Sequence, residues 1–172
     1  MKLQIDNRQK CHRLDRALIQ QLATELFRLA CRREPEVCWS RVTVVLTDDN
    51  GIQAYKLAAF GYREITDVVT LRYAPSPADP GTEGEIFVNV QRAFAHPLRT
   101  GWTPIHELAL YIAHGCDHLT GADDNTPPER QRMRRRERRW LQASACQTAI
   151  AKLLTTHTSA LTMAASVLML LS

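Results

Sequence analysis

His114 and His118 stand four residues apart near the end of an apolar segment. On an α-helix, residues at i and i+4 lie on one face, with Cβ atoms about 5–6 Å apart. Two imidazoles at this spacing can bind one metal ion. Gly121 is typical of a helix end, and two carboxylates, Asp123 and Asp124, follow it. The segment therefore predicts a metal site with an open position for water, as in catalytic zinc centres.

Asp124, six residues beyond His118, is the better candidate for the third ligand. Zinc is the default ion for such a set of nitrogen and oxygen donors. His114, His118 and Asp124 would then act in catalysis through the metal and its water. Asp123 is expected in an outer position, where it orients a histidine N–H or the turn. The alternative is that the histidines are polar residues ending a buried helix and that both aspartates serve as turn or capping residues.

Other polar residues of this helix have simpler expected roles. Asp117 borders the metal face, and we expect it to be exposed to solvent, although an extra ligand or a base for the water are alternatives. His106 and Glu107 are expected to form a polar helix start. Gly115 follows His114, so the glutamate of an HExxH zinc protease is absent and peptidase chemistry of that type is disfavoured.

The net charge of +4 is concentrated in one segment. Residues 129–140 hold seven arginines and two glutamates, which leaves 15 basic and 16 acidic residues elsewhere. A dense basic patch attracts polyanions more strongly than dispersed charge. We expect this helix to contact a nucleic-acid backbone through Arg130, Arg134, Arg135 and Arg138. An ordinary solvated face is the alternative.

Length and composition indicate one globular domain. The 172 residues are 45% hydrophobic and 23% charged, and no stretch is apolar for long enough to cross a bilayer. The five cysteines are scattered without a CxxC pair, and residues 1–6 do not resemble a signal peptide. We therefore expect a cytoplasmic protein with free thiols and no membrane association.

Strands and helices alternate along the predicted chain. Strands are predicted at Leu3–Ile5, Val42–Leu46, Thr66–Tyr73 and Glu85–Val90, with a mobile surface loop at Ala74–Gly84. Helices are predicted at Leu14–Arg32, from the Asp48–Gly51 turn to about Phe60, from Pro104 through the histidines, and from Thr126 through the arginines. This order indicates an α+β or a mixed α/β domain.

The composition changes at residue 143. Residues 143–172 are rich in Ala, Leu, Thr and Ser, with one Lys and no acid. We expect residues 1–142 to form the functional domain. Residues 143–172 are then a C-terminal extension, either a helix docked on the domain or on a partner, or a frayed tail.

Three segments carry a resemblance to a known family: His114–Asp124, Thr66–Leu71 and Gly84–Val88. They resemble segments of the YbeY family, bacterial zinc endoribonucleases and rRNA maturation factors. The segment from His114 to Asp124 is similar to the family pattern His-Gly-x-x-His-Leu-x-Gly-x-Asp-(His/Asp). Thr66–Leu71 resembles its Thr-Asp-Val-(Leu/Ile)-(Ser/Thr)-Phe strand, and Gly84–Val88 resembles its Gly-Asp-Ile-x-Ile strand. Order and spacing agree over about residues 1–142.

The resemblance implies a single α+β domain in which a small mixed β-sheet packs with helices, and a metal site at the end of a central helix. It also implies one zinc ion per chain, held by His114, His118 and Asp124. The implied activity is single-strand-specific RNA cleavage in the cytoplasm, in 16S rRNA 3′ end processing and ribosome quality control. The implied partners are rRNA and ribosomal particles, with no DNA; the oligomeric state stays open.

The chain departs from the family pattern at four places. Asp124 replaces a usual histidine, Asp117 replaces a usual apolar residue, and the loop Ala74–Gly84 lacks a common proline. Phe60 stands where many members have an arginine, which could hold a phosphate. Arg63 and Arg72 are candidates to replace it.

Two alternatives to the nuclease follow. Phe60 favours a zinc-stabilised, non-catalytic ribosome-assembly factor. A metal hydrolase acting on a small molecule also fits the ligand set but leaves the arginine helix unexplained.

Overall fold

The computed structural model describes residues 1–77, 79–95 and 102–170, with side chains up to residue 157. Residue 78 of the predicted loop and residues 171–172 of the predicted extension lie outside the described residues. The strands are β1 Lys2–Asn7, β2 Trp39–Thr47, β3 Val68–Tyr73 and β4 Thr82–Asn89. The helices are α1 Arg16–Ala30, α2 Asp49–Phe60, α3 Val90–Ala95, α4 Pro104–Leu119, α5 Pro127–Leu141 and α6 Ser144–Leu170.

The strands form one mixed sheet in the order β1-β2-β4-β3. β1, β2 and β4 are parallel, whereas β3 pairs antiparallel with β4. The central strands are rich in β-branched residues that are buried between helices, as a parallel pair requires. α1 and α4 cover one face of the sheet, and α2 covers a smaller apolar cluster on the other. The prediction of a single α+β domain with a small mixed sheet is confirmed.

The predicted loop Ala74–Gly84 is wrong at its C-terminal end. β4 already begins at Thr82, which pairs with Trp39 of β2, and Gly84 pairs with Val42. The Pro- and Gly-rich sequence indicates a loop, but backbone pairing with β2 overrides that preference. Gly84 fits because a Cβ there would lie 2.7 Å from a methyl carbon of Leu119.

The strand predicted to end at Val90 is also too long. Val90 begins the short helix α3, which the sequence did not indicate. A helix of six residues is too short to show a helical period in its apolar positions.

α4 is the central helix, as predicted, and both of its ends are fixed by local chemistry. At its start, the Thr103 hydroxyl accepts the His106 backbone N–H in a capping box, and Pro104 occupies the first turn. His106 thus takes part in the predicted polar helix start, whereas Glu107 in the same turn is buried. At its end, Gly121 adopts φ 78°, a left-handed conformation that favours glycine. These ends set which turn of α4 carries His114 and His118.

Gly115 marks the closest approach of α4 to the sheet. A Cβ on this residue would lie 2.3 Å from Cγ2 of Ile86 in β4. Overpacking of this kind costs about 1–3 kcal/mol, so Gly115→Ala is expected to lower the free energy of unfolding by that amount in urea denaturation. The cost should shrink when Ile86 is also replaced by Ala, because that methyl group is then gone. An equal cost in both backgrounds would show that the close approach is not the cause.

α5 and α6 close the domain over α4 and α1. α5 starts at the predicted capping box, in which Thr126 and Glu129 bond reciprocally, and it buries Met133, Glu137 and Trp140. The first half of α6 packs on α1, with Cys146, Ala149, Ile150 and Leu153 joining the main core. None of the helices in the described ranges is both long and apolar enough to span a membrane.

Candidate metal centre

The structure brings His114, His118 and Asp124 together. One donor atom from each lies within 4.8 Å of the others. The two histidine Nε2 atoms are 3.1 Å apart, and each is 3.9 Å from a carboxylate oxygen of Asp124. Donors bonded to one tetrahedral zinc at about 2.0–2.1 Å are separated by about 3.3 Å. The donor set and its spacing therefore fit a zinc ion after small side-chain shifts.

The outer ring nitrogens of both histidines have partners that fix the rings. His114 Nδ1 lies 2.7 Å from Oε1 of Glu137, and His118 Nδ1 lies 3.0 Å from the carbonyl oxygen of Ala122. A carbonyl oxygen only accepts, so Nδ1 of His118 carries the proton and its Nε2 presents a lone pair when the ring is neutral. If His114 has the same tautomer, its Nδ1–H donates to Glu137. The lone pair on its Nε2 then faces the lone pair on Nε2 of His118. Two facing lone pairs are repulsive unless a proton or a cation lies between them.

Glu137 also changes the basicity of His114. Burial is the largest single effect and lowers the pKa of His114, but the hydrogen-bonded Glu137 carboxylate, together with Asp67 and Asp124, offsets it, and the pKa lies above its ordinary value. Increased basicity of a ligating imidazole is the effect that carboxylate partners have in zinc sites.

Glu137 is not among the site residues predicted from the sequence, although its position on α5 indicates a buried polar partner. Glu137 lies on α5 between Met133 and Trp140, which are both buried. An acid at an apolar-face position of an otherwise arginine-rich helix needs a polar partner inside the protein. That observation could have paired it with a histidine.

Replacing Glu137 by glutamine tests this partnership. The amide keeps the size but not the charge, and loss of such an outer partner typically lowers metal affinity about 10–100-fold. We expect Glu137→Gln to weaken zinc binding by that factor in competition titrations with a chelator. Glu129→Gln, which changes the other glutamate of α5 at its solvent-facing start, should bind zinc as the unchanged protein does. Equal affinities of both variants would remove Glu137 from the site.

The structure places the Asp123 carboxylate on the turn. Its two oxygens accept the Asp124 backbone N–H at 2.7 Å and the Asn125 amide at 2.6 Å. The Nδ1 atoms of the two histidines are bonded to Glu137 and to the Ala122 carbonyl, and not to Asp123. Asp123 thus shapes the loop that presents Asp124.

Asp117 corrects an expectation, because its predicted exposure to solvent is wrong. Its side chain is 0% exposed and accepts bonds from Nε and Nη2 of Arg136 at 2.9 and 2.6 Å, and from Nη1 of Arg33 at 3.1 Å. α5 and the turn after α1 cover this flank of α4. Burial raises the pKa of Asp117, while the two guanidinium groups partly counter that shift. The carboxylate therefore links helices and faces neither the metal donors nor water.

The four arginines predicted to bind RNA occupy different surfaces of α5. Arg130 and Arg134 line a cavity of about 380 Å³ together with His114 and Asp124. Arg135 and Arg138 are exposed. Nη1 of Arg130 also donates to the carbonyl oxygens of Asp124 and Asn125, at 2.8 and 3.0 Å. Arg130 therefore stabilises the loop that carries Asp124.

Phe60 occupies the position at which the family pattern often has an arginine, and its side chain is exposed. Phe60 lines a second cavity, of about 460 Å³, on the side of β3 and α2. Arg72 pairs with Glu34 at 2.8 Å and lies 5.0 Å from the Trp39 ring, so it is not turned toward the histidines. Arg63 is exposed in the segment after α2.

Fold and site together define a small α+β protein in which two histidines and one carboxylate, a cluster that could hold a metal ion, lie between two open cavities. A sequence model of the family described as Endoribonuclease YbeY matches residues 4–145. The chain belongs to this family, which confirms the resemblance and places it among the endoribonucleases, hydrolases that cut phosphodiester bonds.

Curated relatives and a solved structure agree with this assignment. The Endoribonuclease YbeY of Salinibacter ruber is 29% identical over 110 residues, which are 60% of this chain and 70% of the relative. That of Chlamydia abortus is 31% identical over 114 residues, which are 63% and 72%. The solution structure of a Thermotoga maritima protein matches with a TM-score of 0.53 at 20% identity, over 82% of this chain and 87% of that one. At this identity the last match supports the fold alone.

Proposed function

We propose that this protein is a zinc-dependent endoribonuclease that cuts single-stranded RNA at His114, His118 and Asp124. The observation that carries the proposal is the convergence of three donor atoms in a chain of an endoribonuclease family. In this proposal, residues 1–142 carry the activity and residues 143–172 are an extension. A zinc ion held there would polarise a phosphate oxygen and lower the pKa of a bound water.

The residues around the donors have complementary roles in this proposal. Glu137 and the Ala122 carbonyl hold both imidazoles with Nε2 inward, and Arg130 holds the loop of Asp124. Arg134 adds a positive charge to the rim of the cavity beside His114. A phosphate drawn to this rim lies next to the metal donors, where its reacting oxygen is oriented.

The proposal extends to the biological setting. RNA is the substrate class of the family, and we place the protein in the cytoplasm, acting on rRNA within ribosomal particles. The expected reactions are 16S 3′ end processing and removal of defective ribosomes. Phe60 favours the second candidate, a zinc-stabilised assembly factor that binds RNA without cutting it.

Cleavage assays separate the two candidates. Zinc-loaded protein is incubated with a single-stranded rRNA fragment, with the same fragment in a duplex, and with EDTA added. The nuclease predicts internal cuts in the single strand only, lost with EDTA. RNA that is bound but uncut at full zinc loading would favour the assembly factor.

The exposed arginines give a prediction on affinity. Arg134→Ala and Arg135→Ala each remove one charge that we expect to contact phosphates, so the slope of log affinity against log salt for a single strand should become shallower by about 0.7 per variant. Zinc content should be unchanged. The measurement is fluorescence anisotropy with a labelled single strand over a salt series. An unchanged slope in both variants would remove both positions of α5 from the RNA-binding surface.

A further inference from the structure

Two aromatic rings lie exposed at the rim of the metal centre. Phe60 is 53% and Tyr62 is 51% exposed, and their ring centroids are 6.5 Å apart. Both line the cavity of about 460 Å³ that is also lined by His114, His118 and Asp124. Exposed apolar side chains clustered beside a polar cavity are typical of binding sites, because a ligand that covers them removes apolar surface from water.

The rings are held in place by the end of α2. The helix stops at Phe60 because Gly61 adopts φ 81°, and the Gly61 N–H still bonds to the Leu57 carbonyl at 2.9 Å. The Lys56 ammonium lies 5.0 Å from the Tyr62 ring and pairs with Glu64. The capped turn therefore fixes the backbone that carries both rings, and the cation–π contact holds the Tyr62 ring. They present aromatic faces without being part of the apolar core.

The chemistry of the two cavities differs. The cavity on the side of α5 carries Arg130 and Arg134, which suit phosphate. The cavity on the side of α2 has Phe60 at the position where a guanidinium would serve the same purpose, and its own cation, Lys56, is paired with Glu64. A ring cannot neutralise phosphate, but it can stack on a nucleobase, and such stacking accepts any unpaired base. A strand across the metal donors would then meet cations on one side and aromatic faces on the other.

We propose that Phe60 and Tyr62 form a stacking platform for an unpaired nucleobase of the RNA strand in the metal cavity. This inference rests on the proposed function and names what its site recognises. Bases in a duplex are already paired and stacked on their neighbours, and breaking these contacts costs free energy. The platform therefore favours single strands over duplexes. It also gives Phe60 a part in substrate binding in place of the phosphate contact that it cannot make.

The test uses zinc-loaded protein and a 2′-O-methyl single-stranded decamer that contains 2-aminopurine, whose fluorescence is quenched when it stacks. Phe60→Leu keeps an apolar side chain but removes the ring, and Phe60→Trp keeps a ring. We expect Phe60→Leu to lose quenching at saturation and to weaken binding about tenfold, whereas Phe60→Trp retains both. Tyr62→Leu should also reduce quenching.

Tyr73→Leu is the matched control. Tyr73 is an exposed aromatic of β3 that is hydrogen-bonded to Glu85, outside both cavities of the metal centre. It should bind and quench as the unchanged protein does. Circular dichroism and sedimentation of every variant check the fold and the oligomeric state. The platform is overturned if quenching and affinity are unchanged in Phe60→Leu and Tyr62→Leu. It is also overturned if the only effect of these substitutions is a change in self-association.

Cleavage of unmodified RNA, measured in parallel, separates this inference from the proposed function. Quenching that depends on Phe60 in a protein that cuts no RNA leaves the platform standing and rejects the nuclease. Metal-dependent cutting without quenching rejects the platform and keeps the nuclease. A protein that binds no single strand rejects both.

Discussion

His118→Ala is expected to abolish zinc binding and RNA cleavage together. The substitution removes one of three donors, whose Nε2 lies 3.1 Å from that of His114. Loss of an outer partner already costs about 10–100-fold in metal affinity, so loss of a ligand should exceed 100-fold. The His118 side chain is 22% exposed, so the fold should persist. Metal content, cleavage rate and circular dichroism measured on one preparation check all three statements.

Two companion variants sharpen this result. Asp124→His restores the residue that the family pattern usually has at this position and should keep the metal, because imidazole and carboxylate are both zinc ligands. His106→Asn removes an imidazole from the first turn of the same helix, outside the donor cluster, and should keep both metal and cleavage. Equal losses in His106→Asn and His118→Ala would point to damage of α4 rather than of a metal site.

Arg136→Met is expected to lower the free energy of unfolding by about 3 kcal/mol. It leaves the fully buried Asp117 carboxylate with Arg33 as its remaining ion-pair partner, and uncompensated buried charge costs about 3–5 kcal/mol. The Arg136 side chain is 26% exposed, which places the estimate at the low end. Urea denaturation followed by circular dichroism measures the change.

The double variant Asp117→Leu with Arg136→Met separates charge from packing. It replaces the pair by apolar side chains, and Arg33, 31% exposed, can turn to water. Stability should therefore return close to that of the unchanged protein. Arg139→Met, an exposed change on the same helix, should stay within about 0.5 kcal/mol. A double variant that is no more stable than Arg136→Met would contradict the assignment of the loss to buried charge.

The parts of this protein that were predictable from the sequence are local. The four-residue spacing of His114 and His118, the Gly121 stop and the Thr126 cap each depend on one turn of backbone, which the sequence states directly. The run of β-branched residues in β2 is likewise a local feature that predicts a strand. Asp124 could be predicted as a ligand because the loop after the helix is short and returns the chain toward the histidines.

The parts that were missed depend on contacts between distant segments. Glu137 meets His114 across 23 residues, and Asp117 meets Arg136 across 19, because α5 lies against α4. No local pattern shows which arginine of α5 turns inward. The early start of β4 at Thr82 is likewise decided by pairing with β2 and not by its own composition.

The most direct test of a zinc-dependent nuclease at His114, His118 and Asp124 is a zinc titration of protein stripped with a chelator. Bound zinc per chain and cleavage of a single-stranded RNA are measured on the same samples. We expect cleavage to rise in proportion to bound zinc and to level off at one zinc per chain, with neither zinc binding nor cleavage seen in His118→Ala. Full cleavage by the zinc-free protein, or equal zinc binding by His118→Ala, would contradict this expectation.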